Sequence, residues 1–179
     1  DLAQAGAIEP GNADVYRAKA YYYDLGIADF RSAMADCDTA VERATADRAK
    51  EMELDRCRLD EKVFYYTRIY LDRFVQHLCR VLDRPDLSKE ERIDLLNQRS
   101  RYYREQERYT EALSDNQESI RLLAGDKKGL GEAYLSRARI LDKMGEENLA
   151  AAAYRQAKQL DKEAYIPWRY QRIIGGGEK

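Results

Sequence analysis

The sequence predicts an all-α fold built from antiparallel helix pairs, and three observations support this prediction. Small residues recur in three trios with nearly constant spacing, and a small side chain is needed where two helices cross closely. The composition, 36% charged and 44% hydrophobic residues, suits helices with one apolar and one solvent-facing side. Proline, which interrupts helices, occurs only three times in 179 residues. The trios are Ala20, Ala33 and Ala40, then Ser100, Ala112 and Ser119, then Ala138, Ala150 and Ala157.

The first half of the chain is predicted to hold two helix pairs. Residues 13–45 form the first pair, with a break at Gly26 and an apolar stripe of helical period that begins at Phe30. Residues 46–87 form a second pair, which is degenerate and elongated. Pro85 ends this pair, because a proline ring disfavours helix at the preceding residue and cannot continue one.

Two further pairs are predicted in the second half. The third pair, residues 88–125, begins with Ser88 and Glu91 in a capping-box pattern, which satisfies free N–H groups at the start of a helix. The glycine-rich run AGDKKGLG is expected to form a loop. The fourth pair, residues 128–162, is expected to turn at Gly145.

Charge and cysteine content exclude several classes of protein. The formal net charge of −2 and the pI of about 5.7 argue against a general nucleic-acid or membrane-surface binder. Cys37, Cys57 and Cys79 have neither metal-ligand spacing nor an even number for a disulfide framework, so we expect buried or half-buried thiols. Unpaired thiols favour a cytoplasmic location, while a periplasmic or envelope-anchored location stays open because Asp1 need not be the true N-terminus. No apolar run is long enough to span a bilayer.

The sequence offers little catalytic chemistry. His77 is the only histidine and has no cysteine or serine in a nucleophile motif, so we expect a structural role for it. The glycines of the run at residues 124–131 lack the Gly-Lys-Ser/Thr of a phosphate-binding loop. Adjacent carboxylates, such as Asp36 with Asp38, are expected to lie on a solvated face. We therefore expect a protein that is not an enzyme, with no cofactor and no metal.

The spacing of small and aromatic residues along the helix pairs resembles that of the tetratricopeptide-repeat family. The repeat of that family is a helix–turn–helix of about 34 residues. The fourth pair carries the family's signature offsets without a gap, the third nearly so, and the first fits with one extra residue in its turn. The family's usual leucine is replaced by Lys19, Arg99 and Arg137. The matching residues are Tyr134, Ala138, Leu141, Gly145, Ala150, Tyr154 and Ala157; Leu96, Ser100, Tyr103, Ala112 and Ser119; and Tyr16, Ala20, Tyr23, Ala33, Cys37 and Ala40.

This resemblance implies a right-handed superhelical solenoid of about four helix hairpins, forming a single domain over residues 1–174. Residues 1–12 resemble the tail of a preceding repeat. At the other end, Pro167 can open a last helix, and residues 164–174 resemble a C-terminal capping helix. Residues 175–179 are expected to be a flexible tail.

The resemblance also implies a function, because the family binds peptides or partner helices in a concave groove lined by the first helix of each pair. The groove positions carry an excess of arginine, which suits a partner with an acidic segment. Intrahelical pairs, such as Arg101 with Glu105, are an alternative role for these charges. The groove candidates are Arg17, Tyr21, Asp24, Asn97, Arg101, Arg104, Leu135, Arg139 and Asp142.

The sequence therefore favours a protein–protein interaction module, that is, a scaffold or adaptor that binds a protein or peptide. Two alternatives remain open. One is a regulatory segment of a larger enzyme or of a cell-envelope or secretion assembly. The other is a helical-repeat binder of single-stranded RNA, in which arginine and tyrosine would stack on bases, although the negative net charge disfavours it.

Overall fold

The structure, a computed structural model, is all-α. It describes residues 9–26, 30–67 and 71–175, without the side chains of residues 21–26, 30 and 64–67. Nine α-helices and no β-strand occur within these residues. The all-α prediction is therefore confirmed. The side chains of the groove candidates Tyr21 and Asp24 lie outside the described part of the chain. The predicted tail of a preceding repeat lies outside it at residues 1–8, and the predicted flexible tail at residues 176–179.

The chain divides into two compact units, with the boundary between Arg84 and Pro85. The boundary coincides with the predicted break at Pro85. In the first unit each helix packs on the next one along the chain. Its helices are α1 Ala13–Gly26, α2 Phe30–Arg43, α3 Ala49–Thr67 and α4 Leu71–Leu82.

The second unit follows the same plan with five helices in its described part. Helices α5 to α8 pack on one another in chain order, and α9 packs on α8. An apolar cluster of buried residues from α7, α8 and α9 forms one core, and a second cluster joins α5, α7 and the end of α6. The helices are α5 Lys89–Glu105, α6 Tyr109–Leu122, α7 Lys127–Lys143, α8 Glu147–Leu160 and α9 Trp168–Gly175.

All nine residues of the three small-residue trios are buried. In the third pair the first two members are in direct contact, since the Ser100 hydroxyl donates a hydrogen bond of 2.8 Å to the Ala112 carbonyl oxygen. Between α6 and α7, the buried Asn116 amide donates a hydrogen bond of 2.9 Å to the Ala133 carbonyl oxygen. The second trio and the third lie 38 residues apart at every member. The trios therefore mark buried helix contacts, as predicted.

Two predicted helix boundaries are confirmed. The Glu91 backbone N–H donates to Ser88 Oγ at 3.1 Å, and the Ser88 N–H donates to the Glu91 carboxylate at 2.8 Å, which completes the capping box. Gly145 lies between α7 and α8 with φ of 79°, a left-handed conformation that glycine adopts without strain.

The glycine-rich run at residues 124–131 mostly belongs to α7, so the prediction of a loop was wrong. The helix begins at Lys127 because the Asp126 carboxylate accepts a hydrogen bond of 3.0 Å from the Gly129 N–H and caps the first turn. Gly131 is buried in this helix, and a Cβ there would lie 3.3 Å from Cβ of Asp161, directly after α8. The glycine therefore permits the close approach of α7 to the end of α8.

Three basic residues on α1, α5 and α7 bond to acceptors on α2 or α6, so each ties its helix to a neighbour. The prediction that Asp36 and Asp38 form a solvated face was wrong, because Asp36 takes part in one of these contacts and Asp38 pairs with two arginines. The contacts are Lys19 with Asp36 at 3.1 Å, Arg99 with Asp115 through two bonds of 2.7 and 2.8 Å, and Arg137 with Gln117 at 2.6 Å.

The predicted last helix is present and begins directly after Pro167. Tyr170 attaches it to the core: its ring centroid lies 4.7 Å from that of Tyr154, and its hydroxyl donates a hydrogen bond of 2.6 Å to Asp142. Burial, together with the hydrogen bond to the Asp142 carboxylate and its negative charge, raises the pKa of Tyr170 to about 12. Trp168 is 71% exposed and takes no part in this core.

Candidate functional site

A groove of about 680 Å³ lies between α5 and α7 in the second unit. Connections of three and four residues join α5 to α6 and α6 to α7, so successive helices are antiparallel and α5 runs in the same direction as α7. The buried residues Ile93, Leu123 and Ala133 form the apolar part of its lining. Polar and charged side chains supply the remainder.

Three of the residues predicted for a groove line this one, namely Asn97, Arg101 and Arg139. Asn97 and Arg139 are exposed, and Arg101 is half-buried. Two of them come from α5 and one from α7, so the structure brings predicted residues from two helix pairs into one concave site.

Three other predicted residues of the second unit do not line the groove. Arg104 forms an ion pair of 3.1 Å with Glu105 on the same helix. Leu135 packs against the apolar cluster of α7, α8 and α9. Asp142 accepts the hydrogen bond from Tyr170, so it holds α9 in place.

Arg17, the described candidate of the first unit, lies at a different pocket. This pocket has a volume of about 750 Å³ and is lined by residues of α1, α2 and α3. The Arg17 guanidinium bonds to Glu51 at 2.7 Å and to Asp55 at 2.5 Å. It therefore ties α1 to α3 through two carboxylates.

Several residues of the α5–α7 groove were not predicted from the sequence, above all Asp94 and Glu132. They are 38 residues apart, the same interval that relates the trio members of the two pairs. Each lies one helical turn before a predicted candidate, Asn97 and Leu135 respectively. The repeat interval could have found them if the predicted stripe had been extended one turn towards the helix N-termini.

The charges are ordered along the groove. Asp94 and Glu132 line the half nearer the helix N-termini, and Arg101 and Arg139 line the half nearer the C-termini. Glu90 and Asp126 add two carboxylates to the first half, where Lys89 is the only cation among the lining residues. One half of the groove is therefore acidic and the other basic.

Most of these charges are not used by the fold. Within the described part of the chain, the side chains of Asp94, Glu132 and Arg139 make no hydrogen bond or ion pair. The contrast with Arg99, which is held by two bonds to Asp115, shows that arginine on α5 can be structural. The exposed charges of the groove remain available to a ligand.

A buried polar cluster in the first unit is structural in its geometry. Arg56 is 3% exposed and bonds to Asp38 at 2.7 Å and to Asp60, and Asp38 also pairs with Arg73. The His77 Nδ1 lies 2.7 Å from the other oxygen of Asp60, as a structural histidine would. These residues join α2, α3 and α4 beside a pocket of about 250 Å³, which is lined by both cationic and anionic side chains.

The cysteines are thiols, as predicted. Cys37 and Cys57 are buried, and Cys79 is half-buried. Burial, together with the negative charge of nearby carboxylates such as Asp60, raises the pKa of Cys37 and of Cys57 to about 12, which keeps both protonated and unreactive near neutral pH.

The described residues contain no group of three or more histidine, cysteine or carboxylate residues arranged to hold a metal ion. None of the helices in that part of the chain combines the length and apolar character needed to cross a membrane.

Comparison with known proteins assigns no family to this chain. No protein-family model matches the sequence, and no curated protein is significantly similar to it.

Proposed function

We propose that this chain is a non-enzymatic protein-interaction module of the tetratricopeptide type, which binds a peptide or partner segment in the groove between α5 and α7. The observation that carries the proposal is the groove itself. It is a concave space of about 680 Å³ with an apolar part and with the exposed charges of Asp94, Glu132 and Arg139, which form no hydrogen bond or ion pair within the described part of the chain. Apolar surface supplies affinity, and a small number of placed polar groups supplies orientation and specificity.

The repeat architecture supports this proposal. The trio members recur at a constant interval of 38 residues between the third and fourth helix pairs, and all of them are buried. Stacked helix pairs of this kind present their first helices side by side, which is the arrangement of α5 and α7. In a superhelical solenoid such a surface acts as a scaffold or adaptor for extended segments.

The charge of the groove favours a peptide over a nucleic acid. Four carboxylates and three cationic side chains line the groove, so its net charge is negative. A nucleic-acid site needs an excess of cations to replace the counterions of the phosphate backbone. The carboxylates of Glu90, Asp94 and Glu132 would repel phosphates along half of the groove.

Peptide display against the purified chain tests the proposal. The affinity of each selected peptide would be measured by fluorescence anisotropy for the wild-type protein and for two variants. The variants Ser136→Trp on α7 and Asn97→Trp on α5 each place a large side chain in the groove. Both residues line the groove, and Asn97 is exposed, so a tryptophan there need not disturb the core. We expect each variant to weaken binding at least about tenfold.

The matched control is Ala152→Trp, at an exposed position of α8 away from the groove. Its affinity should stay within about twofold of the wild type. Circular dichroism verifies that all three variants are folded. Selected peptides that bind folded groove variants as well as the wild type would contradict the proposal, and so would a selection that yields no binding peptide.

A further inference from the structure

We propose that the α5–α7 groove recognises an extended peptide segment that carries a basic and an acidic residue three positions apart. The basic residue lies against Asp94 and Glu132, which we name the acidic pair. The acidic residue lies against Arg101 and Arg139, which we name the basic pair. This inference rests on the proposed function and adds the charge pattern of the ligand.

The two pairs occupy equivalent positions on the two helices. Asp94 and Glu132 are 38 residues apart, as are Arg101 and Arg139, and this interval also relates the buried residues Ser100 and Ala138. Because α5 and α7 run in the same direction, each pair places like charges at the same level of both walls. Like charges that face a common space repel each other, and a ligand of opposite charge relieves the repulsion.

The spacing of the pairs determines the spacing in the ligand. Within each helix the acidic residue precedes the arginine by seven residues, which is about 10 Å along the helix axis. An extended chain advances about 3.3 Å per residue, so three residues span the same distance. A basic and an acidic side chain at positions i and i+3 of an extended segment therefore reach both pairs.

The helix dipole does not explain this arrangement. The macrodipole favours acidic residues in the first turn and basic residues in the last turn, and its effect falls off beyond those turns. Glu90 and Glu91 occupy the first turn of α5, but Asp94 and Glu132 lie in the second turns. Arg139 likewise precedes the last turn of α7, where Lys143 is located. A role outside the helix is the better explanation for Asp94, Glu132 and Arg139. The Arg101 guanidinium also lies over the Tyr102 ring of its own helix, 5.5 Å from the ring centroid.

Charge-swapped peptides and variants test the inference. In the background of a selected peptide, the two positions would be set to Lys-x-x-Glu, Glu-x-x-Lys, Lys-x-x-Lys or Glu-x-x-Glu, and affinities would be measured by fluorescence anisotropy at low and moderate salt. Wild-type protein should bind one of the two mixed peptides at least about tenfold more tightly than either like-charged peptide. The preferred mixed peptide also reports the chain direction in the groove.

Reversal of the charges of the acidic pair or of the basic pair should change which of the four peptides binds most tightly. The double variant Arg101→Glu, Arg139→Glu should prefer Lys-x-x-Lys, and the double variant Asp94→Lys, Glu132→Lys should prefer Glu-x-x-Glu. A gain of binding to a new peptide cannot result from misfolding. The control Arg121→Glu, Arg155→Glu reverses two exposed charges on α6 and α8 and should keep the wild-type preference.

The outcomes separate this inference from the proposed function. One possible outcome is that all four peptides bind the wild-type protein with affinities within about twofold of each other, while the groove-filling variants still block binding. This result would overturn the charge pattern and leave the groove as the binding site. Failure to select any peptide would overturn both. Variants that keep the wild-type preference after reversal would also overturn the charge pattern.

Discussion

Arg56 and Asp60 lie one helical turn apart on α3, and both side chains are at most 3% exposed. Removal of two charges from water is costly, and the cost is offset here because Asp60 accepts from both Arg56 and His77. Asp38 on α2 joins the cluster through Arg56 and Arg73. The cluster therefore links three helices, and its two buried charges, Arg56 and Asp60, depend on each other.

Loss of one charge from this cluster should be severe. Arg56→Met leaves the buried Asp60 carboxylate without its main cation, and we expect the free energy of unfolding to fall by about 3–5 kcal/mol. Urea denaturation followed by circular dichroism measures this loss. Arg121→Met, an exposed arginine on α6, is the control and should change stability by less than about 0.5 kcal/mol.

A second variant distinguishes the charge from the volume of the side chain. Arg56→Met combined with Asp60→Leu removes both buried charges and should recover much of the lost stability, since apolar replacements of buried ion pairs are often neutral or stabilising. A double variant as unstable as Arg56→Met alone would show that packing around Arg56, rather than the unpaired carboxylate, determines the loss.

At the scale of helices, α7 and α8 depend on contact between small residues. Ala138 on α7 and Ala150 on α8 are both 0% exposed and belong to one buried apolar cluster. A larger residue must therefore displace a helix or adopt a strained rotamer. The contact is local to this pair, and its loss should leave the position of the α5–α6 pair unchanged.

Ala150→Trp is expected to overpack this contact. The free energy of unfolding should fall by about 1–3 kcal/mol, measured from the urea midpoint at constant m-value. Ala152→Trp places the same side chain two residues later on the exposed side of α8 and should be nearly neutral. Equal midpoints for the two variants would disprove the assignment of Ala150 to a close helix contact.

At the scale of the whole chain, the sequence divides into two compact units between Arg84 and Pro85. The second unit has its own buried clusters, a complete capping box at its first helix and a last helix that is attached by Tyr170. These contacts lie within residues 85–179, so the unit contains what a small domain needs for folding.

Residues 85–179 expressed alone should therefore fold. We expect an α-helical circular dichroism spectrum and a single cooperative urea transition at 222 nm. Trp168 is a poor reporter of this transition because it is already 71% exposed in the folded state. A gradual loss of helix without a transition would mean that residues 1–84 are needed for folding of the second unit.

The helices and their close contacts could be predicted from the sequence because they depend on local patterns. Small residues such as Ala138 and the capping box at Ser88 act within one turn or one hairpin. The cluster around Arg56 could not be predicted, since its partner Asp38 is 18 residues away and charged residues on amphipathic helices normally face solvent. The groove was predicted in part, and Asp94 was missed because periodicity indicates which face of α5 lines a groove but not how far the groove extends along the helix axis.

The hydrogen bonds from Ser100 to Ala112 and from Asn116 to Ala133 fix the axial register of three helices. The first prevents sliding of α5 along α6, and the second prevents sliding of α6 along α7. A slip of one turn would move a side chain about 5.4 Å and leave a buried amide or hydroxyl unpaired. Two buried polar residues, neither of which lines the groove, thereby keep its opposite walls at matching heights.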